Sequence, residues 1–213
     1  MIRKELYSHV LDWFEQNMPL AKSELNYQNA YELLVAVILS AQCTDKRVNI
    51  VTPAFFKRFP NVQSLSESNS SEIFEYIRSI SYPNNKSKHL LGMAKMLIDE
   101  FHGEIPSLVE DMMRLPGVGR KTAHVIASII YHQPTMAVDT HVFRVSSRIG
   151  LSKGAKTPLE TEKQLMRYIP LEKVGKAHHW LILHGRYVCK ARNPKCETCG
   201  LRQWCSYANE NRE

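Results

Sequence analysis

At 213 residues, with 44% hydrophobic and 23% charged residues, the chain has the make-up of a folded protein with a sizeable core, in one domain or two small ones. Its net charge of +7 favours an acidic partner, with nucleic acid ahead of an anionic membrane surface. No stretch has the length and apolar purity of a membrane span, and the opening residues lack the apolar core of a signal peptide, so the five cysteines are expected in an intracellular, reducing setting rather than as structural disulfides.

In chain order, Leu6, Val10, Trp13 and Phe14 mark one face of a helix over residues 2–17, which Pro19 ends. Residues 30–42 are apolar nearly all round and predict a central, buried helix that stops at a polar knot of Gln42, Cys43, Thr44 and Asp45. Thr44 or Asp45 caps a helix to about Phe59, ahead of Pro60. Capping boxes at Ser64 with Glu67 and at Asn69 with Glu72 open a short turn and then a helix to about Ile80. Residues 81–85 read as a loop. A helix from about Lys86 turns Leu90, Met93, Leu97 and Phe101 inward and ends at Gly103. Ser107 with Glu110 opens a short helix, Gly117 and Gly119 make a tight turn, and the next helix runs to about Tyr131, before Pro134. Asp139 is the natural N-cap of the helix that follows. Thr157, Pro158 and Glu160 combine an N-cap, an N1 proline and a capping box. A long helix over about 172–188 leads into a cysteine-rich tail. With neither a strand pattern nor a repeat, the fold class is all-α.

Three stretches carry chemistry. Gly117 and Gly119, set among Leu115, Val118 and Arg120, allow a sharp turn that bares backbone N–H groups beside a helix N-terminus, a ready seat for a phosphate. Lys121 follows in the first helical turn, where the helix dipole and the neighbouring Arg120 favour a neutral amine, the form that acts as a nucleophile. Asp139, one helix and one turn later, can accept a proton or stabilise positive charge on a sugar while also capping its helix. His141 and Arg144, on the same helix, suit either a phosphate contact or packing and surface solvation. In the tail, Cys189, Cys196, Cys199 and Cys205 are separated by six, two and five residues. Four thiolates so close can enclose one metal centre, zinc or a four-iron cluster. The loop between the first two, pinned at both ends, would present Lys190, Arg192 and Lys195 to phosphates.

The run Leu115 to Lys121, the segment Val138 to Arg144 and the cysteine tail, in this order and at these separations, resemble the endonuclease III family of helix–hairpin–helix DNA glycosylases with an abasic-site lyase activity. The resemblance extends from Leu33 to Cys205. It implies that Lys121 attacks the sugar C1′ and forms a Schiff base, that Asp139 is the essential aspartate, and that the four cysteines hold a [4Fe–4S] cluster with a structural and DNA-binding role. It implies that Gln42 fills the gap left by an extruded nucleotide, where the residues alone suggest only a polar helix end. It further implies two helical domains flanking a DNA-binding cleft, a central one over 23–134 and a discontinuous one over 1–22 plus 135–213. The implied partner is double-stranded DNA with damaged bases or abasic sites, with oxidised or ring-saturated pyrimidines as substrates, met by a monomer in a bacterial-type cytoplasm, on the nucleoid and away from membranes.

Two departures bear on specificity. Cys43 follows Gln42 where a small, unreactive residue is expected, and Tyr82 stands where the family carries an intercalating aliphatic residue. Two rivals remain. The related adenine-mismatch glycosylase typically has a small residue in place of the lysine and carries a further C-terminal domain, whereas this chain has Lys121 and ends eight residues after Cys205. A non-catalytic, metal-stabilised DNA-binding module would also explain the hairpin, the charge and the cysteines, and only Lys121 with Asp139 argues for catalysis.

Overall fold

The computed structural model describes residues 2–210, and every regular element among them is helical. In order these are α1 (Arg3–Asn17), α2 (Ala30–Ser40), α3 (Asp45–Arg58), α4 (Val62–Ser66), α5 (Ser70–Ile77), α6 (Pro83–Phe101), α7 (Val109–Met112), α8 (Arg120–Ile130), α9 (Thr140–Ile149), α10 (Pro158–Tyr168), α11 (Val174–Tyr187) and α12 (Ser206–Glu210). Short 3₁₀ turns at Leu171–Lys173 and Arg202–Trp204 precede α11 and α12. None of the helices is long and apolar enough to cross a membrane. The chain divides into two compact units, one from Ser23–Tyr131 and one from the stretches up to Lys22 and from His132 onward.

In the Ser23–Tyr131 unit, α2 is the centre. Leu33 through Leu39 are all buried, as an apolar helix with no polar face requires, and α3, α6 and α8 pack around it. Asn29 caps α2 by accepting from the Glu32 N–H, and Thr44 caps α3 by accepting from the Arg47 N–H. Asn69 caps α5 as its sequence indicates, accepting from the Glu72 N–H at 2.9 Å. Three starts differ from the sequence reading. The short helix α4 is capped by Asn61, with Ser64 at its third position returning a bond to the Asn61 N–H, so Ser64 closes the box rather than opening one. Helix α6 starts at Pro83, three residues early, because a proline at N1 sacrifices no helical hydrogen bond. Helix α7 follows Leu108, and no side chain of that residue caps it.

The other unit is built on α1, α9 and α11. Phe14 of α1 stacks on Trp180 of α11, ring centroids 5.7 Å apart, and the Trp180 indole N–H donates to the Met18 carbonyl at 2.8 Å. This satisfies the one polar atom of the largest fully buried side chain. Helices α9 and α11 approach closely at Gly185, where a Cβ would stand 2.9 Å from His141 Cβ and 3.0 Å from a Val145 methyl. Thr157 caps α10, accepting from the Glu160 N–H at 3.2 Å, while the Glu160 carboxylate reaches the Lys156 N–H.

Candidate functional site

In the hairpin between α7 and α8, Leu115 and Val118 are buried, and the Val118 N–H donates to the Leu115 carbonyl at 3.0 Å. Their side chains anchor the turn from below, so what these two residues offer outward is backbone. Gly117 has a left-handed φ of +81°, and a Cβ there would lie 2.9 Å from His89 Cβ. Gly119 is different. Its φ of −92° suits any residue, and a Cβ there would meet nothing within 4 Å. It is the N-cap of α8 and offers no capping side chain, so the first N–H groups of α8 take no bond from their own N-cap side chain. Arg120 and Lys121 are exposed on that first turn. The result is an open, donor-rich helix end with an amine one residue inside it, the geometry of an anion seat.

Asp139 caps α9, and its Oδ1 accepts from both the His141 N–H (2.8 Å) and the Val142 N–H (2.9 Å). With both bonds on Oδ1, Oδ2 is left for another partner. The approach to Asp139 is braced from α11, where buried His178 meets the Ala137 carbonyl at 2.8 Å. His141 and Arg144 turn out to be engaged with each other, His141 Nδ1 lying 3.2 Å from the guanidinium. Burial pulls the pKa of His141 down. Arg144 also donates to the carbonyls of Gly185 (3.0 Å) and Cys189 (3.2 Å), which gives it the work of fixing the first cysteine rather than of reaching outward.

Gln42 lies just beyond the end of α2, exposed, with a left-handed φ of +55°. Tyr82, 60% exposed, has φ +57° at the start of α6. The two turns are joined, since the Ser81 hydroxyl donates to the Gln42 carbonyl at 2.8 Å. Cys43 is half-buried, its N–H bonded to the Ser40 carbonyl.

All four tail cysteines line one pocket with His184, Leu201 and Tyr207. The loop holding them is folded by its own backbone, with the Lys190 and Lys195 N–H groups both donating to the Val188 carbonyl. Arg148 of α9, which the sequence did not mark, donates to the carbonyls of Lys190 (2.7 Å) and Ala191 (3.1 Å) and stacks over Tyr207. The only sequence signal for it is its spacing four residues after Arg144, which sets both guanidinium groups on one face of α9. Lys190, Arg192 and Lys195 are exposed on the loop. His184 stands 3.6 Å from Cys199 Sγ through Nε2, and burial lowers its pKa to about 4, so its imidazole is neutral beside the sulfur. Burial pushes the Cys199 and Cys205 thiols up, and four thiolates so confined need a compensating cation. Four cysteine sulfurs around one common pocket are the donor set of an iron–sulfur cluster.

Residues 35–171 match the HhH-GPD superfamily base excision DNA repair protein family, and residues 189–205 match the iron-sulfur binding domain of endonuclease III. Endonuclease III of Rickettsia felis is 42% identical over 208 residues, covering 98% of this chain and 97% of that protein. Endonuclease III of Bacillus subtilis is 42% identical over 205 residues, covering 96% and 94%. A solved structure of a trapped endonuclease III–DNA covalent intermediate superposes with a TM-score of 0.94 at 41% identity, covering 99% of each chain. The chain belongs to the endonuclease III family. Its cofactor is a [4Fe–4S] cluster.

Proposed function

We propose that Lys121 is the nucleophile and Asp139 its acid–base partner in a bifunctional DNA N-glycosylase and abasic-site lyase of base excision repair, acting on oxidised or ring-saturated pyrimidines in duplex DNA. The observation that carries this reading is the pairing of Gly119 with Lys121. Nothing around Gly119 requires a glycine there, and the space a side chain would take lies open beside the first turn of α8. A DNA phosphate seated there brings the backbone against Gly117, Gly119 and Arg120, with the amine of Lys121 alongside.

A base within the stack is out of reach of the amine, so the nucleotide is extruded and Gln42 occupies the space it leaves. Tyr82, at the tip of the adjoining turn, enters the opposite strand as an aromatic wedge. Lys121 Nζ then forms a bond to C1′ as the C1′–N bond breaks, and the departing base takes up a proton. Asp139 accepts the proton shed by the amine and stabilises the cationic sugar. Ring opening gives a Schiff base, which acidifies the 2′ proton. Loss of that proton expels the 3′ phosphate, and hydrolysis of the imine frees Lys121.

The central domain, residues 23–134, carries the hairpin and Lys121, and the domain of residues 1–22 with 135–213 carries Asp139 and the cluster. Cys189, Cys196, Cys199 and Cys205 hold the [4Fe–4S] cluster, which when bound cross-links the tail. Lys190, Arg192 and Lys195 on the cross-linked loop contact the DNA backbone. His141 supports the start of α9, and Arg144 supports the cluster loop from the same helix. The protein acts as a monomer on the nucleoid in a bacterial cytoplasm. The test is an end-labelled duplex with a single ring-saturated pyrimidine. Cleavage 3′ to the lesion, leaving an unsaturated aldehyde, is expected. Base release with an unbroken strand, or binding without either product, would contradict the bifunctional reading.

A further inference from the structure

Lys86 is a buried cation in the Ser23–Tyr131 unit, only 5% exposed. Its ammonium donates to the carbonyls of Leu39 (2.8 Å) and Ala41 (2.6 Å), at the C-terminal end of α2. These are carbonyls that a helix end leaves without partners of its own, and a cation there also meets the negative end of the dipole. The Lys86 backbone N–H donates to the Tyr82 carbonyl at 3.1 Å, the first bond of α6. One residue therefore holds the turn carrying Gln42 with its side chain and the turn carrying Tyr82 with its backbone. Ser81 adds the third tie, to the Gln42 carbonyl. Both tips sit in left-handed conformations that non-glycine residues adopt only when their surroundings impose them.

We propose that Lys86 and Ser81 are positioning residues. By clamping the carbonyls of Leu39, Ala41 and Gln42, they hold the Gln42 and Tyr82 tips in register as one two-pronged element that fills both strands where a nucleotide has left the stack. The clamp rests on the glycosylase reading above, touches no DNA itself, and serves the extruded state of duplex substrates alone. A single strand has no partner strand to fill and no stack to prop open.

The test compares wild type, Lys86→Met and Ser81→Ala on two substrates. One is a duplex with a ring-saturated pyrimidine and 2-aminopurine opposite it. The other is a single-stranded oligonucleotide with a preformed abasic site, trapped by borohydride. The expected result is single-turnover excision from the duplex about tenfold slower for Lys86→Met and about threefold slower for Ser81→Ala, with the 2-aminopurine signal of wild type lost in step. Trapping on the single strand stays within about twofold of wild type in both. Parallel losses on the two substrates would show a general structural role and overturn the clamp. So would an unchanged duplex rate and signal. If Lys86→Met does not fold, Ser81→Ala decides by the same two comparisons. A wild-type protein that traps neither the single strand nor an abasic-site duplex refutes the Lys121 chemistry instead, and the 2-aminopurine signal still tests the clamp.

Discussion

Gly117 packs directly against His89 of α6, so closely that a Cβ on the glycine would lie 2.9 Å from His89 Cβ. Gly119, two residues on, faces open space. One glycine is needed by the fold and the other by whatever approaches it. Gly117→Ala adds both a left-handed strain and an overlap, and is expected to cost about 1–3 kcal/mol, read as a drop of about 2–4 °C in Tm for each kcal/mol. Gly119→Ala should leave Tm within about a degree while weakening duplex DNA binding severalfold. Equal binding by Gly119→Ala and wild type would remove the phosphate seat from the account.

Asp139 holds its helix and, in the proposed mechanism, handles a proton. Asparagine is as good an N-cap as aspartate. Asp139→Asn should therefore keep the bonds to the His141 and Val142 N–H groups and the wild-type Tm, yet lose excision by about 100-fold or more. Asp139→Ala should add a stability loss of about 1 kcal/mol. If Asp139→Asn excises at the wild-type rate, the residue is a cap alone.

The purified protein should contain four iron atoms and no stoichiometric zinc, and Cys199→Ser should lose iron and much of the stability of the unit formed by α1, α9 and α11. Arg144→Met cuts the ties to the Gly185 and Cys189 carbonyls, at a cost of about 1.5–3 kcal/mol for a charged donor. Faster iron release to a chelator is the expected readout. A colourless, fully folded protein holding one zinc would refute the cluster assignment.

Lys190, Arg192 and Lys195 are exposed on the loop whose backbone Arg148 pins. Replacing each by alanine should leave Tm unchanged and lower the slope of log binding constant against log salt by about 0.9 per residue. Arg144→Met should not alter that slope. A reduced slope for Arg144→Met with unaltered iron retention would return Arg144 to the DNA surface.

Much of this was open to reading in the sequence because local chemistry fixes it. Asn69, Asp139 and Thr157 cap the helices they appear to cap, and the apolar run at 33–39 is the centre of its unit. Ser64 misled because Asn-x-x-Ser and Ser-x-x-Glu overlap there, and only the fold selects Asn61. Lys86 was invisible for a different reason. A lysine in an amphipathic helix ordinarily reaches water, and its burial depends on carbonyls 45 and 47 residues earlier. Arg144 likewise reads as a surface cation until α11 and the cysteine loop are placed beside it. The left-handed turns at Gln42 and Tyr82 carry no glycine to announce them.

The central claim is that the Lys121 amine forms the covalent link to the sugar. Borohydride reduction in the presence of abasic-site duplex should convert the wild-type protein to a stable protein–DNA adduct, with the modified peptide containing Lys121. Lys121→Ala should bind the same DNA and give no adduct. An undiminished adduct from Lys121→Ala would contradict the mechanism.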